Sequence, residues 1–138
     1  MNYLTLNDIY LLIQEPQINQ LIGAGGNHNI DLAVDIALAE VKTYLIQKYD
    51  IDAEYALTGN SRSLQIRMAV VDVALYILHS RIAPSNIPEL RTKRYEQTIN
   101  WLKMCARGQV TPQLTEIDIN TTGARIRFGN DGKNPNKY

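Results

Sequence analysis

Apolar positions recur along this chain at helical spacing, and turn residues cut the pattern into segments. Thr5-Leu6-Asn7-Asp8 reads as a capping box with Asp in place of Glu, opening a short helix through Ile13. Pro16 suits the first turn of a second short helix, ending near Leu21. The glycine-rich run Gly23–His28 reads as a connection. From Asn29 or Ile30 to about Tyr49, two apolar stripes share one helix. Val34, Ala37, Leu38, Val41, Leu45 and Lys48 form the first; Leu32, Ile36, Thr43 and Ile46 lie on another side. Such a helix is expected to touch partners on both sides, a second helix of its own chain or a neighbouring subunit. Asp50–Asn60 reads as a polar connector.

Ser61 or Ser63 can cap the next helix, which runs to about Ile82. Its segment Met68–Leu78 is apolar almost all round, the mark of a central, buried helix. Asp72 is the exception there, expected at a seam or paired with a base such as Arg67. Pro88 and Glu89 open the last helix, with Tyr95, Ile99, Leu102 and Ala106 as its inward stripe. Arg91, Lys103 and Arg107 are then expected to face solvent or a partner. Gly108 is the expected residue just past the end. The fold expected is all-α: a small bundle of about four helices over residues 1–110, followed by an extended C-terminal tail over 111–138. One strand-like run, Ala124-Arg125-Ile126-Arg127-Phe128, interrupts that tail with a period of two. A lone strand needs an edge to pair with. The segment is expected to dock on its own domain, to add a strand to another chain's sheet or to stay disordered alone; Arg125, Ile126, Arg127 and Phe128 are candidate partner-binding residues, with Arg91 and Arg107 as further candidates on the helix.

Composition narrows the function classes. The 138 residues suit one domain, 45% are hydrophobic and the net charge is zero, which favours neither a nucleic-acid binder nor a membrane-surface protein. No apolar stretch is long enough to span a bilayer, so no membrane partner is expected. Neither is a signal peptide, since the first twelve residues lack a basic start and a small-residue cleavage site. The neutral total hides an asymmetry. Residues 1–60 hold eight acids and two bases, and residues 61–138 hold six acids and twelve bases. Such an asymmetry is either ordinary scatter of charge or self-complementarity, in which an acidic half and a basic half on one subunit favour head-to-tail contacts that can close into rings.

Catalytic and metal chemistry find little support. His28 and His79 lie far apart with no ligand-type neighbour at helical spacing, so no metal or other cofactor is expected. Cys105, the single cysteine, reads as a packing residue, and Ser61 and Ser63 lack a nucleophile context. The glycine cluster at 23–26 lacks the Lys-Ser/Thr of a phosphate loop. The chain is not expected to be an enzyme. A helix-turn-helix DNA-binding regulator is the main alternative, since Arg91, Lys93 and Arg94 open the last helix after a short turn. A generic helical interaction module is another.

Four landmarks in order resemble the Mu-like head–tail connector (head-completion, neck adaptor) proteins of tailed bacteriophages. They are the capped start Tyr3–Ile9; Val41, Tyr44, Leu45 and Tyr49 at the end of a helix; the apolar helix Leu64–Leu78; and Arg94-Tyr95, Trp101-Leu102, Gly108 and Val110. The resemblance covers residues 3–114. It implies a structural protein made in the bacterial host cytoplasm and built into the neck of the virion. Such a protein forms a ring, typically a dodecamer, beneath the portal protein. The ring lets DNA pass without specific binding and docks a tail-completion or tail terminator protein. No cofactor is implied.

Overall fold

In the computed structural model, residues 2–23 and 26–117 are described. They form six α-helices: α1 (Leu6–Tyr10), α2 (Glu15–Ile22), α3 (Asn27–Leu45), α4 (Ile51–Tyr55), α5 (Leu64–Ile82) and α6 (Glu89–Ala106). Among the described residues there is no strand, only one isolated antiparallel bridge between Tyr49 and Glu116. The all-α bundle holds, with three long helices and three short ones.

α5 is the axis. α3 and α6 pack against it and against each other, and α1 and α2 cover another of its sides. Its sequence explains the position: Ile66, Val70, Val71, Val73, Leu75 and Leu78 point in several directions and are all buried. A helix apolar all round has no face to give to water. α3 meets it through Ile30, Ala33, Val34, Ala37, Val41 and Leu45, a single stripe at three- and four-residue spacing. The second apolar stripe of α3 is left outside in part, with Ile36 52% exposed. Ile46 packs on the core.

Helix ends follow local chemistry. Thr5 and Asp8 form the reciprocal capping box. Ser63 accepts from Ile66 N–H and caps α5, whereas Ser61 does not. Pro88 stands at the N-cap position of α6 without a side-chain capping bond, and Gly108 follows its end with φ of 78°, a left-handed conformation that glycine adopts without strain. α3 begins at Asn27, so the connection before it is shorter than its glycine content suggests.

Two expectations change here. The connector 50–60 contains α4: Asp50 accepts from Ala53 N–H, and Ile51 and Glu54 are buried beneath the bundle. Five residues are too few to show a helical period in sequence. The start of the tail is also not free. After Gly108 the chain crosses the end of the bundle where α3 and α6 finish and α5 starts. Gln113 N–H donates to the Gln65 side chain (2.9 Å), Asp50 N–H to Thr115 C=O (2.8 Å) and Ile117 N–H to Lys48 C=O (3.1 Å). Ile117 is buried.

Candidate partner-binding surfaces

The candidate residues do not converge. Arg125, Ile126, Arg127 and Phe128 lie outside the described residues. Arg107 is exposed at the end of α6. Arg91, expected to face solvent or a partner, is instead buried. Its Nη2 donates to Leu12 C=O at 2.7 Å and so ties the start of α6 to the segment after α1. Burial lowers the Arg91 pKa, and the nearby Asp72 carboxylate opposes that shift. Nη1 of Arg91 has no partner among the described residues. Of the expected inward stripe, Leu102 is buried and Tyr95 and Ile99 pack against the core, whereas Ala106 is exposed. Thr98 and Cys105, which that stripe omits, are buried beside them.

Most buried charge is used inside the fold. Asp8 is 3% exposed and is met by Arg62 Nη1 at 2.7 Å and Arg67 Nη1 at 3.0 Å, besides the Thr5 backbone N–H at 2.8 Å. Burial alone would raise its pKa. Hydrogen bonds from Thr5, Arg62 and Arg67 outweigh that and hold the carboxyl below its ordinary value. Next to it the Tyr3 hydroxyl donates to Glu54, which also accepts from Ser63 N–H at 2.7 Å. Arg62 reaches back to Tyr3 C=O and Gly59 C=O. Burial and the Glu54 carboxylate push the Tyr3 pKa well above that of a free phenol. This cluster binds the N-terminal segment to α4 and the start of α5. Sequence reading found Asp8 as a cap but not its two arginines, which lie more than fifty residues away.

A second network holds α6. Asp72 pairs with Arg94, not Arg67, at 2.7 and 3.1 Å, and accepts from Thr98 at 3.2 Å. Tyr95 stacks on Tyr76 with ring centroids 4.1 Å apart and donates to Glu40 at 2.9 Å, so α3, α5 and α6 meet at one side chain. Burial, with the Glu40 contact, pushes the Tyr95 pKa up to about 12. Below this network an open groove of about 250 Å³ lies between α5 and α6. Met68, Ala69 and Trp101 supply its apolar surface, and Gln97 lines its α6 side.

Cys105 is fully buried, and burial pushes its thiol up to about 11, which suits packing rather than reaction. His79 is buried, with Nδ1 2.9 Å from Leu75 C=O. Among the described residues no cluster of His, Cys, Asp and Glu could hold a metal ion, and no helix is long and apolar enough to cross a membrane.

The fold and these networks define a class: a small all-α bundle whose charged side chains clamp its own helices, with a groove left open on one side. The chain belongs to the family described as Bacteriophage Mu, Gp36, which it matches over residues 3–127. That match extends past residue 114, where the landmark pattern ends, and takes in Arg125, Ile126 and Arg127. The protein is therefore a bacteriophage structural or morphogenesis protein. No curated protein matches the chain.

Proposed function

We propose that this protein is a neck component of a tailed phage. Copies of it form a ring, with twelve as the working stoichiometry, beneath the portal protein. The ring extends the DNA channel and presents a docking surface for a tail-completion or tail terminator protein. The membership in the Mu Gp36 family across residues 3–127 carries this reading. Two features support it. The bundle is clamped at both polar networks, which suits a rigid wedge. Its net charge is zero, which suits a channel through which DNA must slide, because tight phosphate contacts would hold the duplex in place. In this role the chain performs no chemistry of its own. The DNA-binding alternative loses one of its three basic residues, since Arg91 is buried against Leu12.

Immunogold electron microscopy of purified particles tests the reading. Label at the single head–tail junction is the expected result. Particles that lack the protein would rule the neck role out and favour salt-sensitive duplex binding as the next assay.

A further inference from the structure

We infer that residues 2–22 form an arm that is exchanged between neighbouring copies in the assembly. The arm of one copy then lies in the seat that the next copy provides between its α3 and α5, with α4 and α6 at the ends of that seat. The inference rests on the neck-ring reading for its setting, and it names the contact that joins the copies.

The arm is held by groups far along the chain. Tyr3 donates to Glu54, Asp8 pairs with Arg62 and Arg67, and Leu12 C=O accepts from Arg91. To α3, the next long helix, it is tied by the connection at 23–26 and by Asn29 Nδ2, which donates to Ile22 C=O at 3.0 Å. A neighbouring copy offers every one of the distant groups in identical form. Charge makes the match selective. Residues 2–22 hold Asp8 and Glu15 and no base, and the seat presents Arg62, Arg67 and Arg91. The acidic first half of the chain and its basic second half thus meet at this seam in bonds the structure shows.

The same seam is where the fold is least complete. Among the described residues, two buried side-chain nitrogens lack a hydrogen-bond partner, Arg67 Nε and Arg91 Nη1. Both belong to arginines that grip the arm. A small apolar cavity of about 10 Å³ lies under the arm as well, walled by its Ile9 and Ile18 on one side and by Ala33, Val71, Ala74 and Leu78 on the other. Orphaned donors and voids both weaken a contact, so the arm parts from the bundle more readily than α3, α5 and α6 part from one another. The connection permits it. Gly23 and Gly26 hold φ of 53° and 56°, and Gly25 stands between them in sequence. Glycine enters and leaves such conformations without a Cβ penalty. In the free chain the arm closes on its own seat. In a ring the neighbouring seat stands at a fixed short distance and so at high effective concentration. Arm into next seat is a heterologous contact, and such contacts close into a ring where the rotation per copy permits.

The test is site-directed cross-linking with Ile18→Cys and Ala74→Cys in one chain, since both positions border the cavity under the arm. Cys105 is buried on α6 and does not line that cavity. On mild oxidation the free protein is expected to close the bridge within one chain and to migrate as a monomer. In phage particles the same variant is expected to give a ladder of covalent oligomers. Intrachain bridges alone, in particles that contain the protein, overturn the inference and leave the neck reading standing. Wild-type particles without the protein overturn both. Charge reversal supplies a second measurement. Asp8→Arg and Arg62→Asp, each produced alone, are expected to be missing from particles. Produced together they are expected to enter, because alternating copies match each altered arm to an altered seat. Seating within one chain leaves both of them mismatched. Exclusion of the mixture, where the chain carrying both substitutions is incorporated, therefore overturns the inference.

Discussion

Asp8 serves three donors at once, from Thr5, Arg62 and Arg67, in a site closed to water. Removing its charge leaves the buried Arg62 guanidinium and the half-buried Arg67 guanidinium without the carboxylate they share. Asp8→Asn is expected to cost about 3–5 kcal/mol of folding stability, read by urea unfolding. The same carboxyl gives a pH dependence with a defined sign. Its pKa is held below the unfolded value of about 3.9. Its contribution is therefore present in full above that value and is lost as pH falls through the depressed folded one. Unfolding free energy measured from pH 6 downwards should drop at the acid end, with a shallower slope in Asp8→Asn. At this scale the sequence is half readable. The residue that caps a helix is visible from its neighbours at three-residue spacing. The residue that neutralises it is not, because Arg62 comes from a distant part of the chain. Asp72 shows the same limit: Arg67 lies one turn and a half away on its own helix, yet the partner is Arg94 on α6. Arg91 is the sharpest case, since its acceptor is a backbone carbonyl seventy-nine residues earlier, which no side-chain pattern can signal.

Elements were legible where their ends carry their own chemistry. Thr5, Pro16, Ser63, Pro88 and Gly108 mark boundaries through side-chain acceptors, a fixed φ or a positive φ, and none needs a tertiary contact. α4 lacks such independence. It is one turn long and is held by burial of Ile51 and by Glu54 binding Tyr3 and Ser63. Glu54→Gln should therefore loosen α4 and the N-terminal segment together while α3, α5 and α6 keep their amide protection, which hydrogen exchange can resolve. Gly108 gives a second check at this scale. A Cβ there would meet Lys48 Nζ at 2.9 Å in addition to the strain of a φ of 78°. Gly108→Ala is expected to destabilise by about 1 kcal/mol or somewhat more, seen as a lowered Tm.

For the whole molecule, the distribution of polar groups separates what stabilises the bundle from what remains on its outside. Residues 111–117 belong to the packed unit through Gln65, Asp50 and Lys48, so a truncation that tests the strand-like segment 124–128 should begin at 118. Deleting 118–138 is expected to leave the helical circular dichroism intact and to abolish portal attachment in a pull-down. Retained attachment would discount Arg125–Phe128 as the contact. Sequence alone could not set that cut, because the docking of 111–117 is mostly through backbone groups.

The solitary thiol of Cys105 has a practical consequence. It sits without solvent access on the inward face of α6, in the core shared with Leu45, Tyr49 and Leu102, and the chain has no other sulfhydryl. A thiol reagent can then react only during moments when α6 parts from the bundle. Under conditions where reclosing outpaces modification, the labelling rate measures the population of that opened form. The protein thus carries its own clock for opening, and a partner that grips the bundle would be seen as a slowing of that clock without any engineered probe.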